Sequence, residues 1–265
     1  MRRSRLHPLV CVVGLFATSP ALAAPGPHLS WDHCWGDGQV VNKAFGCNTN
    51  LGVEALVLSF ESPLASTDRV GLEVVLYIAS SSASVPAWWL VGSGACRSGA
   101  LSITLTPDPA SACAYPYADP YLGAVAAPDV GFYGPNSMRL RALSAVQSAT
   151  PFTVGPGIED FAFRINLSHI HTLGTGACAG CDVPLCIGVG YVKVVGVIPG
   201  DDIALLAGSP NSGGGPANVT WQGAYTHDFT FTTLIQNGSA QLTCDPTGPV
   251  PALRSTWGAV KSLYR

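Results

Sequence analysis

Two histidines in the second half of the chain have a spacing that could support metal chemistry. His169 and His171 are two positions apart in a segment rich in strand-forming residues, so we expect both side chains on the same side of a β-strand. Two imidazoles in that arrangement can share one Zn or Cu ion. In the alternative interpretation both rings fill the rim of a folded core and bind no metal.

Three cysteines follow these histidines closely: Cys178, Cys181 and Cys186. They could complete a mixed His/Cys zinc site, and Cys178-Ala-Gly-Cys181 has the spacing of a dithiol redox pair. Such redox pairs work at the start of a helix in a βαβ unit, whereas this segment is rich in glycine and strand formers. In an exported chain, structural disulfides are the favoured interpretation.

Two aspartates and four tyrosines could bind other ligands. Asp32 and Asp37 could supply carboxylates to a Ca²⁺ site, although the EF-hand spacing and its closing glutamate are missing. An entry strand followed by a turn is the alternative there. The tyrosines of a proline-rich stretch could form an aromatic platform for a glycan or protein partner, or could pack that stretch onto the fold. They are Tyr115, Tyr117, Tyr121 and Tyr133.

The sequence lacks the motifs of common hydrolases. It contains no Gly-x-Ser-x-Gly, no His-Glu-x-x-His and no β-lactamase motif set. A glycosidase would need two carboxylates that the fold brings together. The glutamates available for such a pair are Glu54, Glu61, Glu73 and Glu159. We therefore predict no catalytic residue.

The first 23 residues have the three zones of a cleaved secretory signal. A cationic start at residues 2–5 precedes an apolar stretch over 9–17, and the small residues at 21–23 suit the cleavage site. The apolar stretch is too short to span a bilayer, and no later run approaches the roughly 18 apolar residues that a spanning helix needs. We expect a secreted, periplasmic or cell-surface protein.

Cleavage would remove Cys11 and leave eight cysteines, an even number that predicts a disulfide set in an exported chain. These are Cys34, Cys47, Cys96, Cys113, Cys178, Cys181, Cys186 and Cys244. Local closure favours Cys34–Cys47 and Cys96–Cys113. The other four would then pair among themselves, with one short link within 178–186 and one link from Cys244 back to it.

Composition excludes several classes of protein. Charged residues are only 11% of the chain and hydrophobic residues 48%, so the chain is not a disordered polyelectrolyte. Thirteen basic and sixteen acidic residues leave no cationic surface typical of nucleic-acid binding. Cleavage of the signal would take three arginines and no acidic residue, which changes the net charge from −3 to −6.

Alternating apolar and polar residues predict an all-β fold. The predicted strands are Leu51–Phe60, Val70–Ala79, Leu101–Thr106, Met138–Leu143, Asp160–Thr172, Ile187–Ile198 and Asp228–Ile235. Their spacing, with turns rich in glycine and proline between them, favours a single domain over 24–245. We expect a disulfide-linked, two-sheet antiparallel sandwich of jelly-roll-like connectivity.

Residues 246–265 differ chemically from the body. They contain a proline-rich linker and then a short amphipathic segment with Arg254, Lys261 and Arg265 and no acidic residue. This segment is either a sorting or docking element, or a helix that packs back on the sandwich.

Four segments resemble a group of exported proteins from environmental bacteria to which no activity is assigned. The segments begin at Leu29 (LSWDHCWGDG), Cys178 (CAGCDVPLCI), Val219 (VTWQG) and Thr256 (TWGAVKSLYR). The resemblance covers nearly the whole chain after the signal. It implies bacterial export and a shared architecture, and it assigns no catalytic or binding residue.

Together these features predict a non-enzymatic binding or structural surface module that acts at or outside the cell envelope. The expected partner is a glycan or an envelope protein and not a nucleic acid. No cofactor is expected, apart from Ca²⁺, Zn or Cu at the candidate sites above. One alternative is a metal-binding envelope protein that uses His169 and His171, with His227 as a third ligand. The other is a carbohydrate-active enzyme.

Overall fold

The protein is built from two β-sheets packed face to face and a separate β-hairpin. The computed structural model describes residues 25–38, 40–117, 123–130, 134–206, 217–223, 225–233 and 238–244. Helix in these residues is limited to two short 3₁₀ turns, Trp35–Asp37 and Ala87–Trp89. The predicted all-β sandwich is confirmed.

Several predictions fall on residues outside the described ranges. These are the signal segment 1–23, the C-terminal segment 246–265, Tyr121 and Tyr133. Within the described ranges, no helix combines the length and the hydrophobicity needed to cross a bilayer.

The described residues form fourteen strands. In chain order they are β1 (Gly26–Trp31), β2 (Asn42–Lys43), β3 (Val53–Glu61), β4 (Ser66–Ser80), β5 (Leu101–Thr104), β6 (Gly123–Val130), β7 (Ser137–Ala145), β8 (Phe152–Val154), β9 (Glu159–Ser168), β10 (Leu185–Gly196), β11 (Ile203–Leu206), β12 (Asn218–Trp221), β13 (His227–Thr233) and β14 (Gly238–Cys244).

Sheet one has the strand order β1-β3-β9-β5, and all its pairs are antiparallel. Sheet two has the order β2-β12-β10-β4-β7-β6, with β11 paired to β10 and β8 paired to β4. The parallel pair β2–β12 departs from the predicted antiparallel arrangement. The first five strands alternate between the two sheets, which is the type of connectivity expected of a jelly-roll-like sandwich.

Seven strands follow the predicted ones, namely β3, β4, β5, β7, β9, β10 and β13. The strands that sequence reasoning missed are mostly short, or are poor in β-branched residues. β6, for example, is composed mainly of glycine, alanine and proline, which are residues of low strand propensity. β9 ends at Ser168, four residues before its predicted end at Thr172.

Strand alternation places one side of each sheet in a shared core. In β4 the side chains of Leu72, Val74, Leu76 and Ile78 lie in this core. Glu73 and the odd-numbered residues that follow it in β4 point to the opposite side of the sheet. One end of the core is rich in aromatic rings, which are those of Trp31, Phe45, Trp88, Trp89 and Trp221.

The disulfides join distant segments. Cys34 pairs with Cys113, Cys47 with Cys181, and Cys96 with Cys178. The predicted local pairs Cys34–Cys47 and Cys96–Cys113, and a short link within 178–186, are therefore wrong. Loop-closure entropy favours nearby cysteines in the unfolded chain, but in the folded protein the packing of distant segments decides which sulfurs meet. Cys186 is also disulfide-bonded, and the side chain of Cys244 is outside the described part.

A buried arginine fastens the loops at the aromatic end. Arg97 is fully buried, and its guanidinium lies 3.4 Å from the ring centroid of Trp88. It donates hydrogen bonds to the carbonyl oxygens of Trp88 (2.6 Å), Ile170 (3.0 Å) and Ser168. Burial lowers the pKa of Arg97 to about 10, so the side chain stays charged at neutral pH.

A small second cluster lies on the outer side of sheet two. Val75, Tyr77, Ala79 and Cys186 are buried there, on the side opposite to the main core. The hairpin formed by β13 and β14 lies against β10 and β12. Tyr225, just before β13, donates a hydrogen bond to the carbonyl of Ser80 at 3.1 Å. The hairpin thus forms a partial third layer.

Candidate interaction surface

The two histidines predicted to share a metal ion are not on one strand. Because β9 ends at Ser168, His169 and His171 belong to a turn, in which His171 is exposed and has a φ of 59°. The strand geometry assumed for the pair is therefore wrong. No group of three or more His, Cys, Asp or Glu side chains in the described residues is arranged to hold a metal ion.

His169 instead joins a buried polar network at the rim of the core. Its Nδ1 lies 2.7 Å from the carbonyl oxygen of Leu51, and its Nε2 lies 2.8 Å from Glu54 Oε1. The ring stacks on Phe45, with 3.8 Å between centroids. Lys43 forms ion pairs with both Glu54 and Asp32. The alternative interpretation of His169, a ring that fills the rim of the sandwich, matches this arrangement.

The two aspartates considered as Ca²⁺ ligands have separate protein partners. Asp32 Oδ1 lies 2.5 Å from Lys43 Nζ. Asp37 accepts hydrogen bonds from the backbone N–H of Ala112 and from Ser111 Oγ, which fixes the loop near the Cys34–Cys113 disulfide. Each carboxylate therefore has a structural role in the fold.

The two described tyrosines of the predicted platform differ in exposure. Tyr117 is buried, packs edge-on against Phe152 and has its hydroxyl 3.4 Å from the carbonyl oxygen of Ala162. Tyr115 is exposed and packs edge-on against Tyr117. Tyr117 therefore pins its segment to the sandwich, while Tyr115 remains accessible.

Three carboxylates come together in sheet one, and two of them are buried. Glu61 pairs in register with Glu159, and Asp160 is next to Glu159 in β9. Glu61 and Asp160 are only 3% and 2% exposed. A glycosidase needs a carboxylate pair that its substrate can reach. Glu61 and Asp160 are therefore not open to a substrate.

An exposed mixed surface lies on the outer side of sheet two. We call it the Glu73 face and define it by the outward residues of four neighbouring strands: Glu73 (β4), Val125 (β6), Arg141 and Leu143 (β7), and Tyr191 and Lys193 (β10). The register aligns Lys193, Glu73, Leu143 and Val125 in one row across the sheet. Arg141 and Tyr191 flank Val75 in the next row.

Glu73 organises the polar side chains of this face. Its Oε1 accepts hydrogen bonds from Tyr191 Oη at 2.6 Å and from Arg141 Nη2 at 3.3 Å, and its Oε2 lies 2.8 Å from Lys193 Nζ. Burial alone would raise the pKa of Glu73, but the bonds from Lys193, Tyr191 and Arg141 outweigh burial and lower this pKa. Burial, and then the bond to Glu73, raises the pKa of Tyr191.

Apolar side chains beside this cluster are open to solvent. Val125 is 62% exposed and Leu143 is 41% exposed, although both are in strands. The side chain of Arg141 is 46% exposed, and only one of its nitrogens contacts Glu73. Tyrosine and arginine are among the residues enriched at the centres of protein interfaces.

Sequence reasoning missed the Glu73 face because its members are far apart in the chain. Glu73 was considered only as one of four glutamates available for a catalytic pair. The available signal was the isolated charges in otherwise apolar strands, at Glu73, Arg141 and Lys193. Without the pairing of β4 with β7 and β10, nothing in the sequence shows that these charges meet.

Comparison with known proteins assigns no family. No family model and no curated protein matches the chain. Among solved structures, a cohesin module from a family 33 glycoside hydrolase of Clostridium perfringens is similar over 69% of this chain and 90% of that module. The sequence identity is 10% and the TM-score is 0.32, so this likeness carries no functional argument.

Proposed function

We propose that this protein is an exported, non-enzymatic module that binds a protein partner of the cell envelope through the Glu73 face. The observation that supports this most is the pair Val125 and Leu143, exposed side by side next to Arg141 and Tyr191. Most other exposed large apolar residues are in loops or near strand ends, where isolated exposure is common.

The rigidity of the surface favours binding. Glu73 fixes Tyr191, Arg141 and Lys193 in place, and these residues stand on the two long central strands β4 and β10 and on their neighbour β7. A side chain that is already ordered loses less conformational entropy when a partner binds. Arg141 retains N–H donors for a carboxylate or carbonyl of the partner.

Export is supported by the signal-like first 23 residues and by the disulfides. Disulfides between distant segments persist in oxidising compartments and are rare in the cytosol. The module would therefore meet its partner outside the cytoplasmic membrane.

Site-specific photo-crosslinking tests the proposal. A photoreactive phenylalanine analogue at position 143, in the full chain expressed in its native host, should give a discrete protein adduct on irradiation. The matched control has the same analogue at position 104, an exposed position on β5 in sheet one. Adding Arg141→Gln to the first variant, which removes the charge without placing a second carboxylate beside Glu73, should abolish its adduct while the melting temperature stays near that of the parent.

Two results would contradict the proposal. Equal adducts from positions 143 and 104, or an adduct that Arg141→Gln leaves unchanged, would show that the Glu73 face has no specific partner. Binding to a glycan array that depends on Arg141, with no protein adduct, would replace the protein partner with a carbohydrate.

A further inference from the structure

Two carboxyl groups in sheet one are buried without full hydrogen bonding. They are Glu61 in β3 and Asp160 in β9, which are 3% and 2% exposed. Glu61 accepts a hydrogen bond from the N–H of Gly157 at 2.7 Å. Glu61 Oε2 and Asp160 Oδ2 are buried and have no hydrogen-bond partner. An ionised carboxylate in that position is unfavourable because desolvation is not compensated.

Glu159 pairs in register with Glu61 and directly precedes Asp160, and both of its carboxylate oxygens accept hydrogen bonds. Its two oxygens accept hydrogen bonds from the backbone N–H of Trp35 and of Gly36, both at 2.9 Å, and from Ser59 Oγ. The negative charge of Glu159 acts on Glu61 and Asp160 and raises the pKa of each.

The other titratable groups near this cluster are two tyrosines and a buried histidine. Tyr117 and Tyr115 lie on the segment that packs against β9, and His28 on β1 is opposite Ser59 in register. No ion pair joins a cation to Glu61, Glu159 or Asp160 in the part of the chain that the structure describes. Burial, then the charges of Glu159 and Glu61, raises the pKa of Asp160 to about 7.

A specific segment is docked at Asp160. Residues 114–117 lie along β9, where Ala114 forms an isolated bridge with Asp160. The N–H of Ala114 donates to the carbonyl of Glu159 at 2.7 Å, and the N–H of Phe161 donates to the carbonyl of Ala114 at 2.8 Å. The buried ring of Tyr117 completes the contact.

We propose that Glu61 and Asp160 form a pH-sensitive latch, which holds residues 114–117 on β9 while Asp160 is protonated and loosens this segment when Asp160 ionises. The latch is independent of the Glu73 face. Its direct effect is on Tyr117, which is buried when the latch is closed and gains access to solvent when the latch opens. The Cys34–Cys113 disulfide sets the limit of the movement, since it fixes the chain one residue before Ala114.

The direction of the pH effect follows from proton linkage. The pKa of Asp160 is about 7 in the fold, whereas the ordinary pKa of an aspartate is 3.8. Between these values the native state binds more protons than the unfolded state, so stability falls as the pH rises. We expect the unfolding equilibrium constant to increase about tenfold to hundredfold between pH 5 and pH 8 because of this group.

Amide hydrogen exchange, measured by NMR, tests the latch directly. In the wild type, the protection factors of the Ala114 and Phe161 amides should fall at least tenfold between pH 5 and pH 8, after correction for intrinsic exchange. In Asp160→Asn, which cannot ionise, they should stay within about twofold. Glu73→Gln is the matched control, because Glu73 is ionised over this whole range, and its amides should show the same relative fall in protection between pH 5 and pH 8 as those of the wild type.

Unchanged protection in the wild type, or an equal loss of protection in Asp160→Asn, would overturn the proposal. Should the asparagine variant fail to fold, a ¹³C NMR titration of the Asp160 carboxyl in the wild type decides the question. A midpoint near neutral pH supports the latch, and a midpoint below pH 5 refutes it.

Discussion

Removal of Arg97 should destabilise the protein more than the loss of an ordinary surface charge. Its guanidinium is the donor for three carbonyl oxygens, those of Trp88, Ile170 and Ser168. These carbonyls belong to the 3₁₀ turn at Trp88 and to the end of β9 with the turn that follows it, which meet at the aromatic end of the core. In Arg97→Ala all three lose their donor, and the Trp88 ring loses the cation stacked on it.

The expected magnitude follows from these contacts. A buried acceptor left without its donor costs about 1–3 kcal/mol, and a desolvated cation–π contact contributes up to about 2 kcal/mol. Water entering the vacated space restores part of the hydrogen bonding. We therefore expect Arg97→Ala to lower the free energy of unfolding by about 4–6 kcal/mol, a large share of the total of about 5–15 kcal/mol typical of a domain.

Urea unfolding followed by far-UV circular dichroism, with the disulfides intact, measures this loss. Arg97→Lys keeps the charge but lacks the planar fork, so it should lose about half as much. Arg97→Met fills much of the same volume without donors, so it should be nearly as unstable as the alanine variant. A loss below about 1 kcal/mol for Arg97→Ala, or wild-type stability for Arg97→Met, would show that the hydrogen bonds are not what stabilises this end.

Three further predictions concern other parts of the sandwich. Peptide mapping by mass spectrometry without reduction should recover Cys34–Cys113, Cys47–Cys181 and Cys96–Cys178, and a Cys34–Cys47 peptide would contradict the fold. Gly190→Ala should lower the free energy of unfolding by about 1–3 kcal/mol, because the new Cβ would overlap the ring of Tyr77. Gly155→Ala is the control, since its Cβ would lie 4.0 Å from the nearest atom, and its free energy of unfolding in the same urea titration should be nearly that of the wild type. Glu73→Gln should lower the free energy of unfolding by about 1–2 kcal/mol at pH 7. Because the pKa of Glu73 is lowered in the fold, its contribution is present above the pKa of the unfolded state and is lost as the pH falls through the pKa of the folded state. The melting temperatures of the wild type and the variant should therefore converge at acidic pH, and a constant difference would be evidence against the ionised cluster.

The long strands could be predicted from the sequence because each has a clear alternation of apolar and polar residues. In β9, for instance, Phe163, Ile165 and Leu167 face the core as their spacing of two predicts, and His169 continues that side although the strand has ended. The end of the strand could not be predicted, because His171 takes a left-handed backbone conformation without any glycine or proline to signal it.

The candidate surface and the latch depend on contacts between distant strands. Glu73 meets Arg141 and Lys193 only through the pairing of β4 with β7 and β10, which leaves no trace in local sequence. In the same way, Asp160 was predicted as the first residue of an ordinary strand, and its burial beside Glu61 follows from the register of β3 and β9. Sequence patterns specify elements more reliably than they specify which elements become neighbours.

The long reach of the disulfides has a consequence for how the protein matures. Each of the three described bonds joins residues 79, 82 or 134 positions apart, so none can form correctly before distant segments of the chain have met. Cys178 and Cys181 are three positions apart and collide with each other far more often in an unfolded chain than with their native partners. Early oxidation therefore favours non-native bonds, and native pairing is reached by thiol–disulfide exchange. Correct disulfide pairing in this chain should consequently depend on a disulfide isomerase as well as an oxidant.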